Sequence, residues 1–116
     1  MAAPVVHFEV LGKNGANLQS FYRNLFDWKI NADNPMNYGL VEAAGDKSIG
    51  GGIGAAEEGN PGHVTFYVQV EDLQAALDKA ESLGGKTIVP ITEIPGYVTF
   101  ALLADPEGHV IGIISG

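Results

Sequence analysis

An α+β fold of eight strands and two helices is predicted by three features of the 116-residue sequence. Two passages, one starting at His7 and one at His63, read alike: an alternating strand, a short polar turn, then a helix with one apolar face. Each passage is followed by three strand-like pieces. Turn residues divide those pieces, as they do in short antiparallel strands. The prediction is a single domain of two βαβββ modules, with module one over residues 5–54, a linker over 55–62 and module two over 63–116.

In module one, His7-Phe8-Glu9-Val10-Leu11 alternates. Leu18, Phe21, Tyr22, Leu25 and Phe26 then recur at spacings of three and four, which marks the packing face of a helix started by Asn14 or Asn17. Trp28 follows as a core residue. The strand pieces are 28–32, 38–43 and 49–53, separated by Asn34-Pro35 and Gly45-Asp46. In module two, the run from His63 to Val70 alternates and Asp72 caps a helix carrying Leu73, Ala76, Leu77, Ala80 and Leu83. Gly84-Gly85 stops it. Strand pieces follow at 86–89, 97–103 and 110–114, divided by Pro95-Gly96 and by the turn Asp105-Pro106-Glu107-Gly108, after which His109 reads as a turn residue. The two first strands coincide at an offset of 56 residues, His7 on His63.

Alternation sorts these strands into two faces. Val6, Phe8 and Val10, with Val64, Phe66, Val68 and Val70, face the helices. His7, Glu9, His63, Thr65, Tyr67 and Gln69 face the other way. A sheet that is apolar behind and polar in front predicts a cup with the helices outside. A face merely open to water favours Lys and Glu, whereas two histidines and a tyrosine are a more chemical selection. His7, Glu9, His63, Thr65 and Tyr67 are therefore the candidate ligand-binding residues, expected to line one cavity.

Composition narrows the classes. The chain has no cysteine, which removes disulfides, thiolate metal sites and cysteine nucleophiles and fits a reducing cytoplasm. Net charge is −8, which repels phosphate backbones and argues against nucleic acid. No apolar run is long enough to span a bilayer, and Met1-Ala2-Ala3-Pro4 lacks a signal peptide's pattern, so a cytoplasmic location without a membrane partner is expected. Serine hydrolysis finds no Gly-x-Ser-x-Gly. Gly50-Gly51-Gly52 has no following Lys-Ser/Thr and is no phosphate loop; glycines inside a strand mark a bulge or the close approach of another backbone or a ligand.

At Val5-Val6-His7-Phe8-Glu9-Val10, the stretch from Phe21 to Trp28, Gly50-Gly51-Gly52-Ile53, His63 to Val68, Leu83-Gly84-Gly85-Lys86 and Asp105-Pro106-Glu107-Gly108-His109, the chain resembles the vicinal-oxygen-chelate superfamily. That superfamily holds glyoxalase I, bleomycin-resistance proteins and extradiol dioxygenases. The resemblance implies two βαβββ modules forming a half-open eight-stranded cup and, in the metal enzymes, four ligands, one each from the first and last strand of each half. His7 and His63 match the first-strand positions. Gly112 stands where a last-strand Glu is usual, and the run 48–52 offers no carboxylate. On this alignment, Gly112→Glu should raise zinc or nickel affinity.

Two functions remain in competition. One is a binding protein that holds a small organic molecule with no cofactor, its acidic surface suiting a basic ligand. The other is a metal-dependent lyase, isomerase or dioxygenase with a divalent metal at His7 and His63 and a reduced ligand set that Glu9 or water completes. Either histidine also serves as a general base near neutrality. A homodimer is expected from the resemblance and from sheet edges that need covering.

Overall fold

The computed structural model describes residues 2–115. The fold is α+β, with eight strands and two helices in the order βαβββ–βαβββ: β1 Val5–Gly12, α1 Gly15–Phe26, β2 Ile30–Asn31, β3 Gly39–Val41, β4 Gly50–Ala55, β5 His63–Val70, α2 Leu73–Ser82, β6 Lys86–Ile94, β7 Val98–Ala104 and β8 Val110–Ser115. The contacts divide into two units. One runs from His7 to Val64; the other takes residues 2–6 and 65–115. The first two residues of β1 thus belong to the second unit, and the first two of β5 to the first.

In the His7–Val64 unit the strands lie in the order β2-β3-β4-β1. β1 and β4 are parallel, with His7 opposite Gly50 and Glu9 opposite Gly52, while β2–β3 and β3–β4 are antiparallel. Parallel neighbours need a crossover, and α1 begins it. Asn14 caps α1 by accepting from the Asn17 amide at 3.0 Å, and Asp27 ends it in the left-handed region at φ 57°. Asn14 was one of the two caps expected.

The inward face of α1 differs from the expected one. Gly15 and Gln19 are its buried residues, and Phe21, Leu25 and Phe26 are each more than half exposed. The cause is close approach to β4. A Cβ at Gly15 would meet the Ala55 amide at 2.5 Å, so only glycine allows the helix to sit there. Gln19, one turn on, then points at the strand. Phe21 and Leu25 are carried round to the flank, while Tyr22 and Phe26 gather on Trp28, which also meets Phe8 at 5.4 Å between ring centroids. Trp28 is half-buried within this aromatic cluster rather than enclosed in a core.

The second unit has the order β5-β8-β7-β6, with β5 and β8 parallel. Asp72 caps α2 through the Ala75 amide at 3.0 Å, and Gly84 follows it at φ +98°. Leu73, Leu77, Ala101 and Ile113 form the core, joined by Val68, Val70, Ala76 and Leu103. Val64 and Phe66 do not reach it and are 77% and 41% exposed. α2, ten residues and about 15 Å long, packs over β6, β7 and β8, so it covers only the far end of β5. Thr65 and Tyr67, on the supposedly open face, are the buried residues of that strand. β6 runs five residues beyond the expected piece. Pro90 and two register shifts break its pairing with β7, as suits an edge strand.

Candidate functional site

Four polar side chains meet in the His7–Val64 unit. Glu9 on β1 is 8% exposed. Its Oε2 accepts from the Tyr38 hydroxyl at 2.7 Å, and its Oε1 lies 2.7 Å from His63 Nε2. Tyr38 Oη is also 2.9 Å from His7 Nε2, with the two rings near-parallel at 6.3 Å. A carboxylate only accepts, so His63 donates to it. His7, Glu9 and His63, three of the five predicted site residues, are thereby joined, with Tyr38, whose facing the sequence left open, as the fourth.

The other two lie in the second unit. The Thr65 hydroxyl donates to the Val110 carbonyl at 2.5 Å, tying β5 to β8. The Tyr67 ring lies over Gly112, where any Cβ would overlap it, and meets Phe100 edge-on at 6.5 Å.

Tyr38 is placed by local chemistry. Asn34 accepts from the amides of Met36 and Tyr38 and donates to the Tyr38 carbonyl at 2.8 Å. Asn37 takes a positive φ of 52°, which asparagine tolerates. Gln19 then donates to the carbonyls of Asn37 at 3.0 Å and Ile53 at 2.7 Å, pinning this turn and β4 to α1. The glycines of β4 supply the room. A Cβ at Gly51 would overlap the Phe8 ring on one face, and one at Gly52 would overlap the Tyr38 phenol on the other. The glycine run does make a close approach, but at Gly51 and Gly52 it is to two aromatic rings and not to another backbone or a ligand.

Burial pushes His7 below the ordinary imidazole value of 6.5, and the Glu9 carboxylate works against that shift. His7 is therefore neutral at pH 7. The sign for stability follows from proton binding: below pH 6.5 the unfolded chain takes up a proton that folded His7 resists. Stability should be full above pH 6.5 and fall as pH drops from there towards the lower folded value. His7→Gln should flatten that stretch in urea titrations across pH. An unchanged slope would place the proton uptake elsewhere.

The metal site implied by the superfamily resemblance can be tested against these donors. His7 and His63 are present but already bonded to Tyr38 and Glu9. The register corrects the alignment of the last strands: Gly112 pairs with Tyr67, and Leu11, the counterpart of Tyr67, pairs with Gly54. Gly54, not the run 48–52, is thus the counterpart of Gly112. Neither glycine carries a donor, and each lies against a tyrosine ring, Tyr38 in one unit and Tyr67 in the other. Among the described residues no group of three or more His, Cys, Asp or Glu side chains is placed to hold an ion. These residues do not fit a four-ligand metal. Among the same residues, no helix is long and apolar enough to cross a membrane.

The profile of the glyoxalase-like domain family matches residues 10–114. Two proteins bearing the name glyoxylase, from Mycobacterium bovis and Mycobacterium tuberculosis, are each 35% identical over 79 residues, 68% of this chain. That match spans 30% of their own length. Among solved structures, a glyoxalase/bleomycin resistance protein/dioxygenase superfamily member from Vibrio splendidus aligns at TM-score 0.65 and 14% identity, covering 99% of this chain and all of that one. Methylmalonyl-CoA epimerase from M. tuberculosis aligns at 0.67 and 13%, covering 96% and 86%. A Legionella pneumophila structure described as NAD-dependent benzaldehyde dehydrogenase aligns at 0.68 and 19%, covering 94% and 96%. At these identities the structural likeness concerns the fold alone.

Proposed function

The chain belongs to the glyoxalase-like domain family, and from that premise we propose that it binds a small organic molecule, uncharged or basic, beside Glu9, His7, Tyr38 and His63, without a metal ion. The observation that carries this reading is the almost fully buried Glu9 carboxylate held by an imidazole and a phenol. Such a cluster is weak evidence of a stabilising role, because well-packed apolar residues of similar volume often replace buried polar pairs without loss. Buried, mutually bonded titratable groups are commoner at functional sites. The ligand's charge follows from what surrounds them. β1, β3, β4 and β5 carry no Lys or Arg, so an anionic group would meet Glu9 with no cation on those strands. This separates the chain from a relative of the same fold whose structure holds methylmalonyl-CoA, a polyanion. A homodimer and a cytoplasmic location belong to the same proposal.

The test has two arms. Protein purified without chelator is analysed for zinc, nickel, iron and manganese; less than about a tenth of an equivalent is expected, and a full tightly held equivalent would revive the reduced-sphere metal enzyme. Phenethylamine and 3-phenylpropanoate, alike in shape and opposite in charge, are then compared by thermal shift, which reports binding to the folded state. The amine should raise Tm and the acid should not. The reverse order would sink the charge assignment.

A further inference from the structure

The hydrogen bonds of the Glu9 cluster have a direction, and one atom sets it. Tyr38 has a single hydroxyl proton, and that proton points at Glu9 Oε2. Its oxygen must then accept from His7 Nε2, 2.9 Å away. On the other side His63 donates to Oε1. The chain of bonds therefore runs His7 to Tyr38 to Glu9, with His63 closing from the opposite end. His7, neutral and obliged to donate from Nε2, is confined to one tautomer.

We propose that Tyr38 is a positioning residue of this site, with Gly52 as its seat: the phenol that glycine admits across β4 orients the Glu9 carboxylate and locks His7 in its Nε2–H form. The importance of this lock for a ligand rests on the binding function proposed above; the lock itself does not. Gly52 is specific to the task because any Cβ there would overlap the phenol oxygen and ring. The backbone clamp from Asn34 and Gln19 holds the turn that delivers the ring. The second unit builds a similar glycine seat, Tyr67 over Gly112, where the ring also meets Phe100. The seat at Gly52 is the one that carries the hydrogen bonds between His7 and Glu9.

The experiment reads tautomers directly, by imidazole ¹⁵N shifts of the full chain above pH 7, with no ligand required. Wild-type His7 should show a single form protonated on Nε2. Tyr38→Phe removes only the oxygen and should move the His7 ¹⁵N shifts away from those of the pure Nε2–H form, while His63 keeps its Nε2–H signal because its bond to Glu9 is intact. Gly52→Ala should release His7 in the same way although every polar member of the cluster remains. A purely structural role for Tyr38 would leave the His7 tautomer unmoved in the Phe variant. Wild-type His7 protonated on Nδ1, or an unchanged single form in Tyr38→Phe, overturns the lock; an unchanged spectrum in Gly52→Ala overturns the seat. Should Gly52→Ala fail to fold, the wild-type and Tyr38→Phe spectra still decide the lock, and the steric claim for Gly52 stands supported. Failure of the amine to bind, with the lock intact, would count against the binding function alone.

Discussion

Gly112→Glu should destabilise the chain severely and add no metal affinity. Alignment of the last strand alone favours the opposite result, because Glu is the usual ligand at that position in metal-binding relatives. The structure shows what replaced it. Gly112 is buried beneath the Tyr67 ring, and a Cβ would overlap Cδ2 and Cε2 of that ring. Forcing a side chain into such a place costs about 1–3 kcal/mol in strain, and an uncompensated buried carboxylate adds several more. A loss of about 4 kcal/mol or greater is expected against a domain stability of about 5–15 kcal/mol. Urea denaturation would show it, and calorimetric titration with zinc should find no gain over the parent. Tyr67→Ala/Gly112→Glu makes room, so its loss should be smaller than the sum of the two single losses. A stable Gly112→Glu variant with tightened zinc binding would mean that Tyr67 leaves its seat readily, and would restore the ligand reading.

The example shows which parts of the site were legible in the sequence. The repeat was legible because periodicity is a local signal: Asp72 caps α2, Gly84 ends it, and the run from His63 forms a strand, as their spacing implies. Strand phase also placed His7 and Glu9 together, since residues two apart share a face. What failed was any inference needing to know which neighbour comes close. The apolar spacing of Leu18, Phe21, Tyr22, Leu25 and Phe26 is real, yet Gly15 and Gln19 are buried instead, because the helix approaches β4 where glycine lets it. Val64 and Phe66 alternate as a core strand should, but α2 ends short of them. Tyr38 lies 29 residues from Glu9 and behind a turn. Its one trace in the sequence was indirect, in glycines spaced along a strand with no turn to make. Read as missing side chains, Gly51 and Gly52 signal rings arriving from elsewhere, one on each face.

Glu9→Gln should abolish most of the site's preference for a basic ligand while leaving the fold standing. The amide keeps the volume of the carboxylate and one acceptor oxygen, so either the Tyr38 hydroxyl or His63 Nε2 retains its partner. The other then faces an NH₂ group, at a cost of about 1–3 kcal/mol for a buried donor left unsatisfied. His63 is the better placed to tolerate this, because its side chain is 22% exposed and within reach of water, whereas the Glu9 side chain is 10% exposed. Stability should therefore fall by about 1–2 kcal/mol. Glu9→Ala strands both donors and should lose about 2–4 kcal/mol. The effect on binding is larger in kind. Removing one partner of a buried charge pair costs about 2 kcal/mol or more, which is about thirtyfold in affinity. Phenethylamine should bind Glu9→Gln about thirtyfold more weakly than the parent. Glu42→Gln, which removes an exposed carboxylate outside the cluster, should change affinity less than twofold. Equal weakening in both variants would show that the amine responds to the net charge of −8 and not to Glu9. An unaltered affinity in Glu9→Gln would remove the carboxylate, and with it the proposed site, from ligand recognition.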